Sequence, residues 1–146
     1  MLIGAKTGDP RVAKLLDNLG LKYHVDAQGD FQVSFRLEND RHQTVFIRSE
    51  TSHLGPLEIR EIFSVGYECE GPLPLNVANA LLIHNAHVKL GAWSVLRSTS
   101  TNHCYAAFTA QIAADTDPAS LQTTIQAVVE TADRAESLLS DGADKF

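Results

Sequence analysis

The chain has 146 residues, a formal net charge of −6, and a composition that is 44 % hydrophobic and 21 % charged. That length suits a single domain over 1–146, which buries roughly 68–70 % of its unfolded surface and needs no disulfide or metal to hold a core. The ordinary balance of apolar and charged residues excludes a disordered chain. The acidic excess, with Lys and Arg scattered singly, argues against nucleic acid and anionic membranes as partners.

The opening "MLIGAKTGDP" lacks the apolar core of a signal peptide, and no later stretch is long enough for a membrane span, so a cytoplasmic protein is expected. The first element is the helix "DPRVAKLLDNLGL". Asp9 suits the N-cap, where its carboxylate accepts an orphan amide bond, and Pro10 suits the first helical position, where no donor is missed. Val12, Leu15, Leu16 and Leu19 form one apolar stripe. Gly20 then supplies a left-handed residue that ends the helix, with Leu21 folding back.

Strands follow. In "KYHVDAQGDFQVSFRLEND", Phe31, Val33, Phe35 and Leu37 alternate with Gln32, Ser34, Arg36 and Glu38, the period of a sheet with one buried and one wet face. Asp26 to Asp30 reads as a hairpin turn with Gly29 at positive φ, and Asn39-Asp40 as a second turn into "HQTVFIRSE". After the Gly55-Pro56 break comes "LEIREIFSVGYEC", where Phe63, Val65 and Tyr67 mark one face. Four strands joined by short turns make an antiparallel meander.

"EGPLPLNVANALLIHNA" changes the period to a helix from Leu75 to Ala86, apolar all round at residues 80–83 and so expected to be covered on more than one side. Strands Val88–Arg97 and Cys104–Ala114 come next, joined by the polar "STSTNH". The last helix opens on Asp117-Pro118, and Leu121, Ile125, Val128, Ala132, Ala135 and Leu139 form its stripe. The closing "DGADKF", residues 141–146, is expected to fray. The fold class is therefore α+β, in the order α-β-β-β-β-α-β-β-α: an antiparallel sheet with helices packed on it.

Catalytic signals are sparse. His84 and His87 stand three apart, and a small-ligand or metal-dependent enzyme using them is the alternative reading of the chain. They share a face only if the helix runs through both, and zinc needs three or four ligands. The other histidines stand singly, and there is no HExxH, GxSxG or SxxK motif. Glu58 with Glu61 and Glu68 with Glu70 suit a wet surface better than acid–base work. Cys69 and Cys104 lack a CxxC spacing and read as small buried hydrophobes in a reduced protein. No catalytic residue, metal or cofactor is expected.

Alternation breaks down in "VKLGAWSVLR", where Trp93 and Val95 oppose Val88, Leu90, Ala92 and Leu96, and at Ile62, which opposes Phe63, Val65 and Tyr67. A strand that is apolar on both parities needs cover on both faces, either from its own helices or from a second chain. In the second case Ile62, Trp93 and Val95 are the candidate partner surface, with Trp93 as an aromatic anchor.

The opening helix ending "LDNLGLKYHVD", the strand "GDFQVSF", the helix "LNVANAL" leading to "KLGAWSVL", and the acidic closing helix together resemble the YbjN-like proteins, whose fold is that of type III secretion chaperones. The resemblance covers nearly the whole chain and rests on apolar spacings with a few Asn and Gly. It implies a small acidic cytoplasmic homodimer that holds a segment of a protein client, without enzymatic activity. The meander's extra strand departs from a compact secretion chaperone and leaves the client groove open to question.

Overall fold

The computed structural model describes residues 6–142 and 144–146. Residues 1–5, which begin the stretch tested for a signal sequence, and Ala143 of the closing stretch lie outside the described residues. Among the described residues three α-helices, α1 (Pro10–Asn18), α2 (Leu75–Asn85) and α3 (Pro118–Leu139), accompany seven strands and one short 3-10 turn at Glu38–Asp40. These are β1 (His24–Val25), β2 (Phe31–Arg36), β3 (His42–Ile47), β4 (Ser52–Leu54), β5 (Leu57–Glu70), β6 (Ala92–Arg97) and β7 (His103–Ala113). All pairings are antiparallel, in the order β1-β2-β3-β5-β7-β6, with β4 folded back on β5. The class is α+β, as expected, with β4 added. Gly55, at φ 57°, is the turn of that extra hairpin. Among the described residues no helix is long and apolar enough to cross a membrane.

The helix ends follow local chemistry. Asp9 accepts the Arg11 amide at 2.9 Å, and Asp117 accepts the Ser120 amide at 2.7 Å. Gly20, at φ 69°, closes α1 with its N–H on Asp17 O while Leu21 N–H reaches Leu16 O, the paired bonds of a left-handed C-terminal cap. Asp26 organises the β1–β2 hairpin by accepting the Gln28 and Asp30 amides at 2.9 and 3.0 Å.

One face of the sheet packs with the helices into a single core. Phe31, Val33, Val45, Ile47, Ile62, Ala106 and Phe108 meet Val12 and Leu16 of α1, Val77 and Leu81 of α2, and Leu121, Ile125, Val128 and Val129 of α3. The core face of β5 is Arg60, Ile62 and Ser64, opposite the face that Phe63 and Val65 mark in the sequence. Phe63 lies on the opposite face, stacked on Phe46 with ring centroids 5.0 Å apart and capped by the Arg48 guanidinium at 4.8 Å. A bulge explains Tyr67. Register slips between Val65, opposite Ala107, and Tyr67, opposite Ala106, so Tyr67 swings to the core side. Gly66 sits at the slip, where a Cβ would meet the Trp93 ring at 2.7 Å and Ala132 O at 3.1 Å.

Burying Arg60 is affordable because its charge and its terminal Nη donors are met, Nε alone finding no partner among the described residues. It is 1 % exposed; Nη2 donates to Asp9 at 2.7 Å, and Nη1 donates to the carbonyls of Arg48 and Ser49 at 2.7 and 3.1 Å. Asp9 in turn receives Arg11, which also forks onto Glu58 at 2.8 and 2.9 Å. The N-cap of α1 is thus riveted to β5. Burial works to raise the Asp9 pKa, but the Arg11 and Arg60 bonds outweigh it and hold the carboxyl well below its usual range. The Arg11 and Thr51 bonds lower Glu58 to about 2.

Candidate functional site

Of the three residues expected at a partner surface, two are sealed inside the chain. Ile62 is fully buried in the core, and Trp93 is 6 % exposed, its ring edge-on to Phe108 with centroids 5.3 Å apart. Only Val95 reaches the surface, at 49 % exposure. On the second parity of β6, Trp93 is therefore covered from within the chain, while Val95 is left in water.

The uncovered apolar surface lies on α2. This helix forms from Ala, Leu and Asn after Pro74, with no side-chain cap, and it buries only Val77 and Leu81, four apart on one stripe. Leu75, Leu82 and Ile83 stay 77 %, 64 % and 65 % exposed, so the cover expected around residues 80–83 comes from one side only. An open groove of about 470 Å³ runs between α2 and α3, lined by Ala80, Leu81, Ala135 and Leu139, with exposed Glu130 and Arg134 among its polar groups. Leu138, also on this groove, is 76 % exposed.

His84 and His87 do not converge. Trp93 Nε1–H donates to His84 Nδ1 at 3.0 Å, which assigns the neutral imidazole proton to Nε2 and leaves Nδ1 no lone pair for a metal. His87 is exposed, and its N–H caps the helix on His84 O at 2.9 Å. The neighbouring Asn85 accepts the Trp93 amide at 2.6 Å and donates to the Trp93 carbonyl at 3.3 Å. Its carboxamide stands in for a strand against the outer edge of β6 and blunts it. The end of α2 is thus spent on anchoring the helix, with its apolar side left facing out.

A second feature was not legible in the sequence: the seam between β3 and β5 is split. The two strands share only the pairs Phe46–Phe63 and Ile47–Ile62. Beyond Phe46 the backbone groups of β3 that face β5 find other partners. The Thr44 carbonyl accepts Ser64 Oγ–H at 2.6 Å. Gln43 Nε2, on a side chain with no exposed surface, donates to Ser64 Oγ at 2.7 Å and to the Val65 carbonyl at 2.8 Å. The remaining donors go to the closing residues. Thr44 N–H donates to Phe146 O at 3.0 Å, and His42 N–H donates to the Asp144 carboxylate at 2.9 and 3.0 Å. Lys145 spans the opening: its N–H donates to Glu136 at 2.7 Å and its ammonium to Glu68 of β5 at 3.2 Å. Through these bonds Asp144–Phe146 lie along the split.

Asp133, Glu136 and Asp144 bring carboxylate oxygens within 4.8 Å of one another. Arg41 already supplies positive charge there, with Nε on Asp133 at 2.9 Å and Nη2 on Glu136 at 3.4 Å. Burial raises the Glu136 pKa, opposed by the Lys145 amide and Arg41. Cys69 and Cys104, unrelated in spacing, face each other across β5 and β7 as free thiols, and burial followed by the Cys104 neighbour raises the Cys69 pKa. No protein-family model matches the chain, and no curated protein matches it.

Proposed function

We propose that the chain is a non-enzymatic, chaperone-like binding protein of the cytoplasm that works as a homodimer and engages a segment of a protein partner. The observation that supports this reading is the outward apolar side of α2, where Leu75, Leu82 and Ile83 stand in water on a helix otherwise rigidly anchored by His84 and Asn85. Burying such a side chain against a second copy contributes about 1.5–3 kcal/mol each. A groove lined by Ala80 and Leu81 of α2 and by Leu138 of α3 adds apolar surface beside this helix. A two-fold contact of helix on helix uses one patch twice, which suits a chain with a single strongly apolar helix side.

Light scattering on the purified chain tests the dimer. The double substitution Leu82→Asp with Ile83→Asp places two charges on exposed positions that no core contact needs, so the fold survives and the mass falls to that of one chain. A monomeric parent chain, or a doubly substituted chain that still dimerises, removes this reading.

A further inference from the structure

We propose that the split between β3 and β5 is a strand-acceptor site for an extended segment of a protein partner in which an acidic residue is followed by a basic one, and that Asp144-Lys145-Phe146 occupies it as a resident competitor. This deepens the binding reading above by naming a site and the chemistry of its occupant.

The bonds made by the closing residues specify that chemistry. An acidic side chain satisfies the His42 amide, and the next residue's cation meets Glu68 while its N–H meets Glu136. The carbonyl one residue further on accepts from Thr44. Strand addition works through such backbone bonds, with side chains setting selectivity. The bonds decide the order: an acid at the His42 amide, then a base opposite Glu68. Gln43 and Ser64 bond Thr44 O and Val65 O from within, so β5 does not pair with this half of β3 and the Thr44 and His42 amides are left for an added segment. Gln43 Oε1, buried in the same split, has no donor among the described residues.

A segment tethered by a few residues competes at an effective concentration on the order of millimolar. Weakening it in the full-length chain therefore exposes the site. The probe is a fluorescent peptide of residues 140–146, followed by anisotropy against the parent chain and against Asp144→Ala with Lys145→Ala. The doubly substituted chain is expected to bind at least about tenfold tighter than the parent, and a peptide with Asp and Lys exchanged is expected to bind neither. Equal binding by the two chains, or none by the doubly substituted chain, overturns the proposal. Hydrogen exchange on the parent chain gives a second measurement that involves no substitution. The His42 and Thr44 amides should exchange at least about tenfold faster than those of Val45 and Ile47, because they open with the closing segment and not with the core. Equal protection across β3 overturns the proposal as well. Dimerisation is read separately by light scattering, so a failed acceptor site with an intact dimer leaves the α2 reading standing, and the converse outcome leaves the acceptor site standing.

Discussion

Beyond the short β4 hairpin at its start, strand β5 runs between β7 on one side and β3 on the other and treats them differently. Towards β7 it keeps eleven register partners, from Ile59–Ala113 to Glu70–His103; towards β3 it keeps two. The β7 seam is a long ladder, interrupted at the Gly66 bulge, whose backbone groups satisfy one another, so its residues can be small: Ala106, Ala107 and Ala110 carry much of it. The β3 seam lacks that ladder and is completed by buried polar side chains, namely Gln43, Ser64 and, at its far end, Arg60. Backbone pairing tolerates sequence change, whereas side-chain pairing in a dry interior does not, because a lost partner leaves a desolvated group unpaired.

The sharpest way to break the contrast is Arg60→Ala. It strips the Arg48 and Ser49 carbonyls of their donor and leaves Asp9 with Arg11 alone, and removing one side of a buried ion pair costs about 3–5 kcal/mol. Urea unfolding reads the loss; a change below about 1 kcal/mol would show that the rivet between α1 and β5 is dispensable.

Next comes Gly66→Ala at the bulge. The added methyl would press on the Trp93 ring, and overpacking of this kind costs about 1–3 kcal/mol. Trp93 is the chain's single tryptophan, so its emission reports the shift directly. An unchanged spectrum and midpoint would mean that β5 can relax around the slip. Gln43→Ala should cost about 1–3 kcal/mol by leaving Val65 O and Ser64 without their donor, whereas Gln111→Ala on the wet face should stay within about 0.5 kcal/mol. If the two midpoints move equally, side-chain completion of the split seam is not what stabilises it.

The smallest effect is the acid limb of stability. Asp9 and Glu58 have folded pKa values below their ordinary ones, so the stability they contribute is present above about pH 4.5 and is lost as the pH falls towards 2. Glu136 has the opposite sign: its raised pKa makes its contribution fade as the pH rises above the ordinary Glu range near 4.5. Asp9→Asn should flatten the fall of melting temperature below pH 4.5. A slope identical to that of the parent would exclude the α1 rivet as its source.

Much of this architecture is written locally. Asp9-Pro10, Gly20 and Asp117-Pro118 mark helix ends because capping needs only the next few residues, and the period of two in Phe31 to Phe35 marks a half-buried strand. The parity of β5 misleads because two of its core-facing positions are Arg60 and Ser64, polar residues whose partners lie on α1, β3 and the loop after it. Gly66, a lone glycine inside a strand pattern, was the available sign of a bulge. On α2 the run at residues 80–83 announced excess apolar surface, and only the packed fold shows which half of it stays in water.

The sequence by itself determined the α+β class, the order of the main elements and the helix ends, because backbone geometry and capping act over a handful of neighbouring residues. Tertiary structure alone decided that Ile62 and Trp93 face inward, that Cys69 meets Cys104, and that Asp144–Phe146 lie in the gap between β3 and β5. Each of those outcomes depends on register and on partners tens of residues away, where one bulge reverses which face a side chain meets.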